Sequence, residues 1–199
     1  MLKKVFAGVW LLLLISIVAG LFWYNDMVYS LPTPVPANYK AVPLGTVIKL
    51  PVVLCGYGNK PLLLHFYNPD CPCSRFNVKS FKSLAAQYRG RVNFAIVVLS
   101  KKAVDPQSVR NKFGYDIPVL PGAAIAKLCG VYSTPQAVLL DAKSKLYYRG
   151  NYNRGRYCTA EKTSFARIAI ENILSNNNHP VFNPLALKAY GCQSPGCTN

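Results

Sequence analysis

The sequence predicts an α/β fold, a mixed central sheet flanked by helices, behind an N-terminal transmembrane helix. Three observations predict it. An uncharged apolar run of 20 residues spans 5–24. Two continuous apolar stretches, Leu62–Tyr67 and Val92–Leu99, are each followed by a segment with helical spacing or a helix-start signal. Two short apolar runs around Ala142-Lys143-Ser144 then precede one last amphipathic segment.

The first run is long enough to cross a hydrocarbon core of about 30 Å as a helix. A cleavable leader normally has an apolar core of roughly 7–15 residues and a small-residue cleavage site. Here Val18-Ala19-Gly20 runs into the bulky Leu21-Phe22-Trp23-Tyr24, so an uncleaved anchor is expected. Trp23 and Tyr24 suit the interfacial aromatic belt, and Lys3 and Lys4 before the span predict a cytoplasmic N-terminus. The bulk of the chain is then exported. Seven cysteines beyond such a segment indicate an oxidising compartment, most simply a bacterial periplasm. The inner membrane is the expected location, with a single pass. Because seven is odd, at least one thiol is unpaired, catalytic or intermolecular.

The net charge is +16. It is spread along the chain in no run longer than a lysine pair, so it reads as a basic solvated surface or one that meets acidic partners or anionic membrane. No nucleic-acid module is recognisable.

Four segments follow. Residues 1–24 form the anchor. Residues 25–44, with Pro32, Pro34, Pro36 and Pro43, read as a semi-rigid spacer. Residues 45–175 form the domain, and residues 176–199 a polar tail with Cys192 and Cys197. Within the domain, 45–54 reads as a strand interrupted by Pro51, on an edge. Leu62–Tyr67 reads as a central strand buried on both faces. Residues 72–89 read as a helix with Val78, Phe81, Leu84, Ala85 and Tyr88 on one face and Gly90 at its end. Val92–Leu99 is the next buried strand. A short helix starts at Asp105 or Ser108 and ends near Gly114; residues 117–120 are a short apolar piece, and Pro121–Leu128 a turn or two of helix. Ala137–Asp141 and Lys145–Arg149 make a hairpin. Glu161–Leu174 is an amphipathic helix with Phe165, Ile168, Ala169 and Ile173 inward.

The stretch LLLHFYNPDCPCSR at 62–75 carries the chemistry. Strand, turn, cysteine, helix is the order that sets a sulfur at a helix N-terminus, where unpaired N–H groups and the helix dipole favour the thiolate. Such placement can lower a cysteine pKa from about 8.5 to roughly 3.5–7.5.

The element order, HFYNPDC at 65–71 and VYSTPQAVLLD at 131–141 resemble the thioredoxin superfamily, in its membrane-anchored bacterial branch. FYNPDCPCSRFN also resembles the signature of a poorly characterised family of thioredoxin-like proteins. The resemblance implies a thioredoxin-like fold, a cis-proline at Pro135 beside the active cysteine, and a client groove lined by Thr134 and Pro135. From spacing alone, Pro135 is a turn residue. Cys71 matches the attacking cysteine. The second cysteine of C-x-x-C would stand at Ser74; instead Cys73 stands one place earlier. Two outcomes are open. Cys71 and Cys73 bond to each other in a tight, strained ring, which would raise the reduction potential. Alternatively, Cys71 works with a resolving thiol elsewhere, Cys129 or Cys158.

His65 stands where the superfamily often buries an acid; it either moves protons for the thiol or is a core histidine. Arg75 either stabilises the Cys71 thiolate or is a surface charge, and Asp70 either opposes that thiolate or caps the helix. Cys192 and Cys197 read most simply as a local disulfide; the other reading is a mobile dithiol relaying electrons to Cys71. Cys55 reads as structural.

The expected activity is thiol–disulfide exchange on client protein thiols and disulfides through the Cys-Pro-Cys site, with no cofactor and no resident metal. A peroxidase would want Thr or Ser three residues before the cysteine, where Asn68 stands. A Cu(I)-binding chaperone would draw on closely spaced thiols, but the spacing differs from the C-x-x-x-C of such proteins and the only histidines are His65 and His179.

Overall fold

The computed structural model describes residues 2–27, 30–55, 59–154, 163–177 and 180–194. Helix α1, Leu2–Phe22, is continued by a π-helical turn over Trp23–Met27. It is long and apolar enough to cross a membrane and is exposed along its length. An N-terminal helix of this kind is compatible with a membrane anchor.

The domain is built on five strands: β1 Leu62–Tyr67, β2 Asn93–Val98, β3 Val119–Pro121, β5 Gln136–Leu140 and β6 Leu146–Gly150, in the order β3-β2-β1-β5-β6. β1 and β2 run parallel, as do β2 and β3; β5 is antiparallel to both β1 and β6. This is the thioredoxin-like fold. All six residues of β1 are buried. Leu63 and Tyr67 enter one core with Phe81, Phe113, Leu139 and Tyr148; Leu62, Leu64 and Phe66 enter another with Val97, Ile125 and Val138. Burial on both faces is why the strand is a continuous apolar run without alternation.

The first core lies against α3 (Pro72–Tyr88), α4 (Pro106–Phe113) and α6 (Phe165–Leu174); the second lies against α5 (Ala123–Cys129). α3 buries Asn77, Phe81, Leu84, Ala85 and Tyr88, a stripe at helical spacing, and ends at Arg89 rather than Gly90. α4 starts at Asp105, whose carboxylate accepts from the N–H groups of Gln107 and Ser108, and ends at Gly114 with φ 71°. The α6 stripe is rotated from the expected one. Phe165, Ala166, Ala169 and Ile170 are buried, whereas Ile168 is exposed.

Four segments depart from their expected form. Residues 45–54 form no extended strand; Val47 makes one isolated bridge to Lys145, and Val52–Cys55 is a helical turn, α2. Pro51 removes a ladder donor just where the run would have continued. The spacer over 25–44 is docked rather than free. Thr33 is 5% exposed, and Tyr39 donates to the Gly130 carbonyl at 3.0 Å. Ser133–Thr134 forms a two-residue strand, β4, apart from the main sheet. The residues after 175 are not a plain polar tail: they fold into α7 (Pro184–Leu187) and β7 (Cys192–Gln193), and β7 pairs antiparallel with β4.

Candidate functional site

The turn after β1 is fixed by its own side chains. The Asp70 N–H donates to Asn68 Oδ1 at 2.9 Å, the Cys71 N–H to the Asn68 carbonyl at 3.1 Å, and the Asn68 N–H to Ser74 Oγ at 3.2 Å. Cys71 is thereby the N-cap of α3, with extended backbone (φ −87°, ψ 120°), and Pro72 begins the helix. Asp70 is exposed and does not cap it. Ser74, at the place of the missing second cysteine, is fully buried and ties the first helical turn back to the loop. Arg75 is exposed on the same turn.

Opposite Cys71 is the Thr134-Pro135 bond, which is cis. The Thr134 carbonyl oxygen lies 3.5 Å from Cys71 Sγ. A disulfide sulfur has no proton to give, so this is a contact in the oxidised protein; the thiol of the reduced form stands where it could donate.

The disulfide itself corrects two expectations. Cys71 is bonded to Cys192, 121 residues away in sequence, with the Cα atoms 6.0 Å apart. The Cys71–Cys73 ring is not formed, and Cys192 does not pair with Cys197. An i, i+2 bridge needs two side chains of one tight turn to converge; here Cys71 is extended while Cys73 has already entered the helix. Cys73 keeps its thiol and is 5% exposed. The sulfurs of Cys71, Cys73 and Cys192 all lie within 4.8 Å of one another. From the sequence, Cys192 meets Cys71 only as a relay from a mobile tail. The one local signal for this return is Tyr190-Gly191-Cys192-Gln193, a short strand-like piece with a glycine for close approach.

Cys129 is fully buried in the second core, and burial pushes its thiol up to about 12. Among the described residues, the three-sulfur cluster at the helix start does not include it. Cys158, Cys197 and His179 lie outside the described residues, and of Cys55 only the backbone is described.

His65 is fully buried among Phe81, Phe113, Tyr67 and Tyr152, stacked on Phe81 at 4.9 Å. Its Nδ1 shares a 2.7 Å hydrogen bond with the Tyr152 hydroxyl. Burial lowers its pKa to about 3, so the imidazole is neutral at physiological pH and serves the core. Between pH 6.5 and 3 the unfolded chain binds a proton that the folded site refuses. Stability therefore falls as pH drops through that window, by about 1 kcal/mol per unit. We expect urea unfolding at pH 7, 6, 5 and 4 to show this loss in the native chain and a shallower one in His65→Phe; parallel slopes would contradict the assignment.

A family model for a domain of unknown function, DUF6436, matches residues 48–195. The chain belongs to the DUF6436 family. The match takes in both Cys71 and Cys192, so the DUF6436 domain includes the strand that closes the site. No curated protein matches the chain. Among solved structures, an uncharacterised conserved protein of Geobacillus kaustophilus is 22% identical with a TM-score of 0.64, covering 82% of this chain and 97% of its own. A hypothetical protein of Sinorhizobium meliloti is 20% identical with a TM-score of 0.61, covering 78% of this chain and 96% of its own. Both are likenesses of fold. The thioredoxin domain of a thiol-disulfide oxidoreductase of Bacteroides vulgatus is 14% identical with a TM-score of 0.47, covering 61% of this chain and 98% of its own.

Proposed function

We propose that this protein is a membrane-anchored thiol–disulfide oxidoreductase of the bacterial periplasm, acting on cysteines of client polypeptides. The observation that carries the reading is the Cys71–Cys192 disulfide at the N-cap of α3 with a third thiol, Cys73, inside the same 4.8 Å cluster. The dipole at the N-terminus of α3 favours Cys71 as the leaving group of the pair. Cys192 is its resolving partner. In this account the Cys-Pro-Cys motif supplies a nucleophile and a neighbouring reserve thiol rather than a self-contained dithiol pair.

The periplasmic setting rests on Lys3 and Lys4 before the span and on seven cysteines after it. The docked linker supports a site close to the membrane. Thr33 Oγ1 is 2.8 Å from Ser133 Oγ, beside Thr134. Thr33 follows Met27, in the N-terminal helical segment, by six residues, a reach of at most about 22 Å.

The oxidised full-length protein, mixed in detergent with an unfolded dithiol peptide, is expected to convert one equivalent of peptide to its disulfide. Two thiols should appear on the protein, at Cys71 and Cys192. Mass spectrometry after alkylation reads both. Failure to transfer in either direction, with the fold intact, would sink the proposal.

A second reading, Cu(I) binding by the reduced protein, is favoured by the three-sulfur cluster, because clustered thiolates suit a soft monovalent cation. Competition with a chromophoric Cu(I) chelator distinguishes the two. One tightly held Cu(I) per chain, lost in Cys73→Ser, would favour it, and no competition would remove it.

A further inference from the structure

The strand β4 has an unusual partner. Its two residues, Ser133 and Thr134, are fully buried. Their antiparallel neighbours are Gln193 and Cys192, brought back from the far end of the chain. Main chain and sulfur arrive together, since Cys192 is both opposite Thr134 in register and bonded to Cys71. An extended cysteine-bearing peptide that added itself to this edge would use the same two anchors, ladder hydrogen bonds and a mixed disulfide.

Gly191 makes the close approach possible. It has φ 135°, and a Cβ there would sit 2.2 Å from the Thr134 carbonyl oxygen and 3.3 Å from Pro135 Cδ. Hydrogen bonds hold the strand and the chain leading into it beside the disulfide, with Pro32 bridged to Tyr190 and Asn151 donating to the Lys188 carbonyl at 2.6 Å. Thr33 donates its N–H to the Ala189 carbonyl at 2.9 Å and its hydroxyl to the Gly191 carbonyl at 3.2 Å, and the Ser194 N–H donates to the Tyr132 carbonyl at 2.9 Å. A ladder two residues long is marginal by itself. The covalent bond adds to what so short a ladder supplies.

We infer that Cys192–Gln193 is a built-in occupant of a groove along Ser133-Thr134, and that the groove takes an extended polypeptide with a Gly-Cys pair when the strand leaves. The inference rests on the oxidoreductase reading and deepens it. In the oxidised protein Cys71 is 2% exposed whereas Cys192 is partly exposed, so a client thiolate attacks Cys192 Sγ. The client–Cys192 bond forms, the Cys71–Cys192 bond breaks, and Cys71 leaves as a thiolate. The second client thiolate attacks the client sulfur and releases Cys192 as a thiolate, which takes up a proton. The client is oxidised by two electrons and the protein reduced by two. The strand then detaches and the groove opens to a polypeptide disulfide. Cys71 attacks one of its sulfurs, and the other leaves as a thiolate. Cys192 next attacks Cys71 Sγ, which expels the reduced polypeptide and reseats the strand. Two electrons pass from the protein to that polypeptide.

The test uses reduced full-length Cys192→Ser in detergent and three disulfides that share one coloured leaving group, 5-thio-2-nitrobenzoate. The first carries the peptide Ala-Tyr-Gly-Cys-Gln-Ser, copied from residues 189–194. The second carries the same peptide with valine in place of glycine, and the third carries glutathione. Mass spectrometry locates the adduct. The glycine peptide is expected to add to Cys71 about tenfold faster than the other two, a difference of about 1.4 kcal/mol. Equal rates for all three at Cys71 would overturn the groove and leave the oxidoreductase reading standing; no addition at Cys71 by any of them would overturn both. A second variant, Gly191→Val, is expected to close the Cys71–Cys192 disulfide about tenfold more slowly than the native chain when both start reduced and are oxidised by glutathione disulfide, because the strand cannot reseat against the Thr134 carbonyl oxygen. An unchanged rate would count against the groove.

Discussion

Cys71→Ser is expected to reduce thiol–disulfide exchange to the rate of the buffer alone. The serine hydroxyl does not ionise near neutral pH and forms no disulfide, so neither the attack on a client nor the closure onto Cys192 survives. The fold should survive, since the central sheet and both cores are independent of this residue. Stability should drop by about 2–4 kcal/mol, the usual contribution of a disulfide that closes a long loop. For a chain of this size that is roughly 4–16 °C in Tm. Cys192→Ser should lose the same stability. Insulin reduction or dithiol-peptide oxidation, assayed well below either Tm, separates the chemical loss from the structural one. Exchange persisting in folded Cys71→Ser would transfer the nucleophile's role to another thiol.

The second large effect is a trapped intermediate. With Cys192 replaced by serine, Cys71 still captures a client disulfide but lacks the sulfur that expels it. Mixed disulfides at Cys71 should accumulate to most of the protein, and non-reducing gels followed by peptide mapping should show them. Cys73→Ser should behave otherwise. It keeps the Cys71–Cys192 disulfide, turns over, and accumulates little adduct. The contrast decides which cysteine resolves, because all three sulfurs share the 4.8 Å cluster while only Cys71 and Cys192 are bonded. Accumulation in Cys73→Ser and turnover in Cys192→Ser would return the resolving role to the Cys-Pro-Cys motif.

The elements that rest on strong local signals were legible in the sequence. Leu62–Tyr67 is doubly buried and unbroken, so its apolar run marks a central strand. Asn68-Pro69-Asp70 and Pro72 mark the turn and the helix start that make Cys71 an N-cap. The hairpin showed in two short runs around Asp141–Ser144, where Asp141 Oδ1 accepts from the N–H groups of Lys143 and Lys145. What stayed hidden depends on contacts between distant parts of the chain. Thr33 pairs with Ser133, 100 residues on, and Cys71 with Cys192, 121 residues on. Neither leaves a periodic trace in a polar, proline-rich segment. Cysteine spacing is equally mute, because connectivity is set by where the backbone returns and not by sequence separation. His65 shows a third limit. Its position resembled that of a proton-transfer residue, but only its aromatic surroundings and the Tyr152 hydroxyl show it to be a neutral part of the core.

The central claim is that Cys71 and Cys192 form a reversible redox pair. The most direct measurement equilibrates the full-length protein in glutathione buffers of graded potential, quenches with acid and an alkylating agent, and counts each cysteine by mass spectrometry. Cys71 and Cys192 are expected to open and close together in one two-electron transition above about −300 mV, the range of labile disulfides, while Cys73 is alkylated throughout. A Cys71–Cys73 disulfide at equilibrium, or a Cys71–Cys192 bond that opens only when the protein unfolds, would contradict it.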